Sequence, residues 1–231
     1  MIQRRSFFKL LGASVPLALI PSRELLAAGP GKQYAMLIDV RRCTGCISCT
    51  VSCAIENGTS PGVFRTQVKQ FTVQTGQSHP VSLNAPVQCN HCDAPACVGV
   101  CPVKAAQKRA SDGIVVTDQK ACVGCGLCVS ACPYGARQLD PDTGKAESCN
   151  FCIKRTAAGL LPACVESCAG EARIFGDLRD PKSRIHQLVK ANPTYALMTE
   201  ANTRPNVLYI GLSGTPVDKQ ILAAKTADWQ R

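Results

Sequence analysis

Short apolar stretches recur along the chain and are separated by polar and turn-forming residues, a pattern that predicts brief β-strands. The stretch 64–73 (FRTQVKQFTV) alternates apolar and polar positions, so we expect one strand of a hairpin there. Other predicted strands cover 34–39 (YAMLID), 113–117 (GIVVT), 173–178 (RIFGDL) and 206–212 (NVLYIGL).

One segment near the end of the strand-rich region has helical character. Residues 180–190 (DPKSRIHQLVK) predict a helix, with Asp180 as its N-cap and Pro181 as its first helical residue. Strands and helices of this kind, scattered among turns, predict an α+β fold.

The first 28 residues have the pattern of an export signal. Basic residues that include Arg4 and Arg5 precede an apolar run, Leu10 to Ile20, that is too short to cross a bilayer. The paired arginines followed by SFFK resemble a twin-arginine signal, and an amphipathic helix is the alternative. We therefore expect a periplasmic protein, exported already folded, with no transmembrane segment of its own after signal removal.

Composition changes this picture, because the chain of 231 residues contains 16 cysteines and only 5% aromatic residues. So few aromatic side chains leave a thin apolar core, which favours a fold held partly by disulfides or metal. The formal net charge is +10, but the longest basic run is two residues and no aromatic side chains lie among the basic ones. This distribution predicts no nucleic-acid binding.

The cysteines fall into four groups of four, and none is left over. Groups one and three share the spacing C-x2-C-x2-C-x3-C, group two has C-x2-C-x4-C-x3-C, and group four has C-x2-C-x11-C-x3-C. A proline follows the last cysteine of groups two and three, whereas Ala169 follows that of group four. The groups are Cys43, Cys46, Cys49 and Cys53; Cys89, Cys92, Cys97 and Cys101; Cys122, Cys125, Cys128 and Cys132; and Cys149, Cys152, Cys164 and Cys168.

Three chemistries use thiols at this density. Disulfides suit an exported protein, but three thiols on one tight loop are better placed for a shared metal centre than for distant bridges. Zinc takes four ligands, commonly from two C-x2-C pairs. A zinc site of that kind gives no clear role to the third and fourth cysteines, which recur in every group. The run C-x2-C-x2-C-x3-C-P is typical of bacterial ferredoxins, whose fourth cysteine ligates the other cluster of a pair. Iron–sulfur clusters are therefore expected.

The spacing leaves the pairing of the groups open. Groups two and three can form one compact two-cluster unit, with groups one and four paired around it; sequential pairing of one with two is the alternative. Nested pairing predicts two ferredoxin-like units, one inserted in the other, with added hairpins. The predicted boundaries are 29–83 with 143–190, then 84–142 for the inserted unit, and 191–231 for a C-terminal extension.

These motifs resemble the electron-transfer subunits of the dimethyl-sulfoxide-reductase family. Stretches such as CNHCDAPACVGVCPV and ARIFGDLRDPKSRI are most similar to the branch whose complexes reduce tetrathionate. The resemblance implies a non-catalytic subunit with four [4Fe–4S] clusters, which relays electrons from a membrane-anchored quinol-oxidising subunit to a molybdopterin catalytic subunit. Polysulfide, thiosulfate, dimethyl sulfoxide or the quinol side of nitrite reduction are alternative destinations. A zinc-bound structural or assembly protein is the alternative from another class.

The resemblance also implies nested ligand sets, in which each group lends its last cysteine to a partner group. Cys128 stands where some relatives have tryptophan and a three-iron cluster, so all four clusters should be cubanes. Set A is Cys43, Cys46, Cys49 and Cys168; set B is Cys53, Cys149, Cys152 and Cys164; set C is Cys89, Cys92, Cys97 and Cys132; and set D is Cys101, Cys122, Cys125 and Cys128.

His91, inside the second group, has two interpretations. It can donate a hydrogen bond to a cluster sulfur and so raise that cluster's potential. It can also be an ordinary surface or packing histidine.

Overall fold

Short strands and helices alternate along the chain, with the cysteine groups in and beside the loops that join them. The computed structural model describes residues 31–73, 81–212, 218–224 and 226. The predicted export signal, residues 1–28, lies outside them. The strands are β1 (Tyr34–Asp39), β2 (Thr66–Val73), β3 (Val81–Gln88), β4 (Ala106–Lys108), β5 (Val115–Thr117), β6 (Gln138–Leu139), β7 (Ala146–Glu147), β8 (Arg173–Asp177) and β9 (Val207–Ile210).

The helices are mostly one to three turns long. They are α1 (Ser48–Asn57), α2 (Ala96–Gly99), α3 (Leu127–Ser130), α4 (Ile153–Ala157), α5 (Ala163–Glu166), α6 (Arg184–Ala191) and α7 (Asp218–Ala223), with 3₁₀ turns at Val40–Arg42 and Thr199–Ala201. None of the helices in these described ranges is long and apolar enough to cross a membrane.

A three-stranded sheet in the order β8-β1-β9 forms the centre of the fold. Strand β1 pairs antiparallel with β8 and parallel with β9. Successive side chains of a strand point to opposite faces, and four consecutive residues of β1 are fully buried, so both faces of this strand are covered. Met36 and Ile38 join the larger core, whereas Ala35 and Leu37 pack in a second core with Ile185 of α6.

The predicted strands at 34–39, 173–178 and 206–212 match β1, β8 and β9 closely. The predicted strand at 113–117 is shorter in the structure, because Gly113 has a φ of 74° and the polypeptide enters β5 only at Val115. The stretch 64–73 contains β2, which pairs antiparallel with β3 from Thr66–Gln88 to Val73–Val81, so the hairpin prediction is confirmed.

The helix predicted at 180–190 exists, but its predicted beginning is wrong. Helix α6 begins at Arg184, not at Pro181. The carboxylate of Asp180 accepts the N–H of Lys182 at 2.9 Å, and its carbonyl accepts the N–H of Ser183 at 3.0 Å. These bonds close a tight turn before the helix, so Asp180 caps the turn and not the helix.

The mixed α and β content agrees with the predicted fold class. The described residues from Gly31 onward belong to one compact unit. The nested boundaries at 83/84 and 142/143, and the extension from 191, stay predictions.

We expect Leu37→Ala to destabilise the fold, because Leu37 is fully buried against the second core. Truncation of a buried leucine costs about 2–5 kcal/mol of unfolding free energy, and a cavity remains. Thermal denaturation followed by circular dichroism should show a melting temperature several degrees lower. The control is Leu160→Ala, since Leu160 is 52% exposed. Equal melting temperatures for the two variants would contradict the placement of β1 at the centre of the fold.

Candidate metal centres

Four cavities within the described residues are each lined by four cysteines. The cysteines around the cavities are those of set A, set B, set C and set D, one set to each cavity. The structure therefore brings each of the sixteen predicted ligand residues beside the three others that share its predicted set.

Tight loops place the early thiols of groups one and three. Gly45 and Gly124 have φ values of 76° and 70°, in the left-handed region that glycine enters without strain. At Gly124 a methyl group would also lie 2.1 Å from the carbonyl oxygen of Gly144. Because that oxygen is backbone, even alanine is excluded, and the loop can approach the β6–β7 hairpin only with glycine there.

Short helices direct the last two thiols of groups two, three and four. Cys97, Cys128 and Cys164 lie in α2, α3 and α5, and the final cysteine of each group follows the end of its helix. The final thiol then lines a different cavity from the third thiol of its own group. These helices therefore connect the set A cavity with the set B cavity, and the set C cavity with the set D cavity.

Backbone N–H groups point at several cysteine sulfurs. Ala172 N lies 3.3 Å from Cys168 Sγ, and Ala106 N lies 3.4 Å from Cys101 Sγ. Hydrogen bonds of this kind favour the thiolate, which is the form that binds metal. The N–H of Ala106 is the main cause that lowers the pKa of Cys101.

Burial has the opposite effect on the thiols of the interior. It raises the pKa of Cys53 and of Cys89 to about 12, and that of Cys149 well above its ordinary value. A thiolate in such a place is costly unless a cation lies against it. Iron bound to four thiolates provides that cation, so the donor set fits an iron–sulfur centre.

Unpartnered N–H donors in the cavity walls also fit a bound group that has many hydrogen-bond acceptors. Among the described residues, four side chains in cavity walls carry buried N–H groups with no hydrogen-bond partner: Arg65, Gln88, Arg137 and Arg173. Sulfide and thiolate sulfurs accept hydrogen bonds from such donors. In the same part of the chain, no three Cys, His, Asp or Glu side chains are arranged to hold a single metal ion.

The cavities differ in their exposure to solvent. Sets A and D each contain an exposed cysteine, Cys46 and Cys125. All four cysteines of set B are buried, as are three of set C, with Cys132 partly exposed. Sets A and D therefore reach the surface of the described part of the protein, whereas sets B and C lie mostly inside.

The cavities of sets B and C are neighbours. Gln88 lines the set B cavity, and the next two residues, Cys89 and Asn90, line the set C cavity. Phe151, in the wall of the set B cavity, stacks on His91 with ring centroids 3.8 Å apart. A single strand end and one aromatic contact therefore separate these two sets.

His91 is a packing residue and not a surface one. Its ring is fully buried, and its Nδ1 accepts the N–H of Val115 at 3.0 Å. Burial, with Lys108 and Arg137 nearby, lowers its pKa to about 3. The imidazole is therefore neutral with its proton on Nε2, and Nε2 has no partner among the described residues. Its predicted hydrogen bond to a cluster stays a prediction.

The prediction from sequence missed the polar side chains around the thiols. Asn57 Nδ2 lies 3.6 Å from Cys53 Sγ and 3.8 Å from Cys152 Sγ, and Arg173 Nη1 lies 3.7 Å from Cys164 Sγ. One feature of the sequence could have pointed to the two arginines: Arg137 and Arg173 follow the last cysteines of groups three and four by the same number of residues.

Known proteins match the chain over most of its length. A family model described as a 4Fe-4S dicluster domain matches residues 81–178. The B subunit of tetrathionate reductase from Salmonella typhimurium is 48% identical over 98% of this protein and 95% of its own length. The corresponding B subunit from Archaeoglobus fulgidus is 38% identical over 80% and 84%. The B component of polysulfide reductase from Wolinella succinogenes is 40% identical over 78% and 94%.

The domain match covers groups two, three and four of the cysteines, and the relatives extend the similarity across group one. The family expected from the cysteine motifs is thereby confirmed. The protein belongs to the family of iron–sulfur subunits that includes the B subunits of tetrathionate reductases.

Proposed function

We propose that the protein is a non-catalytic electron relay that carries four [4Fe–4S] clusters, held by sets A, B, C and D. The observation that carries this proposal is the presence of four cavities, each lined by four cysteines. The clusters supply one-electron redox chemistry, and the polypeptide holds, insulates and tunes them. Nested ferredoxin-like units, with groups two and three inside one and four, are part of the same proposal.

The basic character of the sequence supports this loading. Each cubane with four thiolates carries a net charge of about −2. The formal charge of +10 falls to +7 once residues 1–28, with four basic residues and one acidic residue, are removed, and four such groups offset that charge. A basic polypeptide is what burial of so much negative charge requires.

The proposed route is serial, in the order A, B, C, D. Sets A and D each have an exposed cysteine, which makes them suited to exchange electrons with partner subunits. Sets B and C are more enclosed and adjacent to each other through residues 88–90. Shared segments of the polypeptide join A to B and C to D.

The proposed partners are a membrane-anchored quinol-oxidising subunit, which supplies electrons, and a molybdopterin catalytic subunit, which receives them for anaerobic respiration. Tetrathionate is the proposed oxidant, supported by the 48% identity to the tetrathionate reductase relative over nearly the full length. Polysulfide is the second candidate, supported by 40% identity to the polysulfide reductase relative over a shorter span.

The proposed location is the periplasm, reached by the twin-arginine route after the clusters are inserted, with the protein held at the membrane by its complex. Arg4, Arg5 and the apolar run Leu10 to Ile20 support this location.

Cluster content tests the proposal directly. Because 16 cysteines are divided among four cubanes, anaerobically purified protein should contain about 16 iron atoms and about 16 acid-labile sulfides per molecule. Iron and sulfide analysis of the isolated subunit provides the measurement. Stoichiometric zinc without sulfide would instead indicate a structural zinc protein.

The nested ligand sets predict which variants share a phenotype. Cys168→Ser and Cys43→Ser should alter the same cluster signal in electron paramagnetic resonance spectra, because both residues line the set A cavity. Cys164→Ser is the matched control: it lies close to Cys168 in sequence but lines the set B cavity, so a different signal should change. If Cys168→Ser and Cys164→Ser altered one common signal, ligation within group four would replace the nested arrangement.

A serial relay predicts that loss of one cluster separates two activities of the assembled complex. Cys125→Ala should slow quinol-driven reduction of the oxidant by at least about tenfold, because Cys125 lines the set D cavity at one end of the proposed route. Reduction driven by an artificial dye that donates directly to the catalytic subunit should change little. Equal loss of both activities in a complex that remains assembled would contradict the relay.

A further inference from the structure

Two buried arginines occupy equivalent positions in the two halves of the cysteine pattern. Arg137 ends the stretch CPYGAR and Arg173 ends CAGEAR, so each follows the last cysteine of its group by the same interval. Both side chains belong to residues that are only 3% exposed. The corresponding positions after groups one and two are Gly58 and Ala106, so each pair of groups contributes one arginine.

Arg173 lies between the cavities of sets A and B. It lines the set A cavity, and its Nη2 donates to Thr66 Oγ1 at 2.7 Å. Thr66 lines the set B cavity, and Arg173 Nη1 is 3.7 Å from the sulfur of Cys164, a member of set B. The guanidinium group therefore faces both members of this pair.

Arg137 repeats the arrangement between the cavities of sets C and D. It lines the set C cavity, and its Nη1 donates to Thr117 Oγ1 at 2.9 Å. Thr117 lines the set D cavity. In both places, then, an arginine in the wall of one cavity is held by a threonine in the wall of the other.

The charge of these guanidinium groups is not balanced by the hydrogen bonds they make. Among the described residues, every acceptor found for these guanidinium groups is uncharged as long as the thiols are protonated. The acceptors are the hydroxyls of Thr66 and Thr117, the side-chain amide oxygen Oε1 of Gln88, and cysteine thiols such as that of Cys164. The Nε of each arginine has no partner there at all. A buried cation without a counter-charge is strongly destabilising, so its partner must be a negative group inside the cavities.

We propose that Arg137 and Arg173 each supply a fixed positive charge shared by the two clusters of one pair, Arg173 for sets A and B and Arg137 for sets C and D. This inference rests on the proposed function, because it requires clusters in the cavities. It assigns these arginines the task of favouring the reduced state of both clusters beside them.

The electron balance explains the direction of the effect. Each cluster takes one electron from a reductant, with no bond or proton transferred, and its net charge changes from about −2 to about −3. A nearby positive charge stabilises the more negative state more, and low polarity strengthens this interaction. Arginine suits the task, because it stays protonated at any physiological pH and its planar group can face two sites at once.

The test compares Arg137→Gln and Arg173→Gln in the complete, cluster-loaded protein. Glutamine keeps an N–H donor and removes the charge. Midpoint potentials of the four clusters are measured by titration with dithionite, monitored by electron paramagnetic resonance, with signals assigned from the cysteine variants. Arg137→Gln should lower the potentials of clusters C and D, and Arg173→Gln those of clusters A and B, so each variant is the control for the other.

Two further variants separate charge from packing. Arg137→Lys and Arg173→Lys keep the charge and should restore potentials near those of the unaltered protein. Arg184→Gln removes a charge from a side chain that is 63% exposed and should leave all four potentials in place.

The outcomes distinguish this inference from the function on which it rests. If the unaltered protein lacks iron and sulfide, the relay itself fails. Suppose that the unaltered protein is fully loaded, and that neither glutamine variant shifts any potential or each variant shifts all four equally. The proposed role of Arg137 and Arg173 is then wrong, while the proposed relay function is unaffected. Selective loss of clusters C and D in Arg137→Gln, restored in Arg137→Lys, supports a charge shared by that pair. The shift of potential is then measured in Arg173→Gln on clusters A and B, and its absence there overturns the inference.

Discussion

The cost of burying thiolates is the constraint on which the rest of this structure depends. Nine of the cysteines are buried, and burial raises the pKa of thiols such as Cys53 and Cys89 to about 12. A protein that folds these side chains inward needs positive charge beside them. Iron supplies most of it under the proposed function, and the backbone N–H groups and arginines in the cavity walls supply the remainder. The apolar core can then be small, because metal–thiolate bonds join segments far apart in sequence.

The β2–β3 hairpin is part of this arrangement and not an appendage to it. Val68 of β2 and Pro86 of β3 line the set A cavity, and Thr66 and Gln88, at the base of the hairpin, line the set B cavity. The hairpin base therefore forms one wall between two thiol sets, and both its end residues bond to Arg173. A segment that lies between cysteine groups one and two in the sequence thus helps to form the walls of the set A and set B cavities.

Different parts of the molecule were predictable from the sequence to different degrees, for physical reasons. Alternating or continuous apolar residues identified β1, β2, β8 and β9, since burial on one or both faces leaves that pattern. Strand β3 was missed, because VSLNAPVQ contains a proline and an asparagine that weaken the signal. The spacing identified all sixteen cysteines as candidate ligands. Their division into sets A to D came only from the family resemblance, because spacing along the sequence does not show which loops lie side by side in the fold. Arg137 and Arg173 were missed, since a buried arginine and a solvated one look alike in a sequence until the surrounding residues are known.

Under the proposed function, the pairwise placement of the arginines affects the energy of electron transfer between clusters. A charge shared by two clusters shifts both potentials together, so the step inside a pair is little affected while the step between pairs is changed. In the order A, B, C, D the step between pairs is that from B to C, across residues 88–90 and the contact between His91 and Phe151. Whether Arg137 or Arg173 exerts the larger effect therefore sets the driving force of that central step. The protein can then adjust the energy of this internal step without altering a single ligand, while the donor and the final acceptor still set the direction of net electron flow.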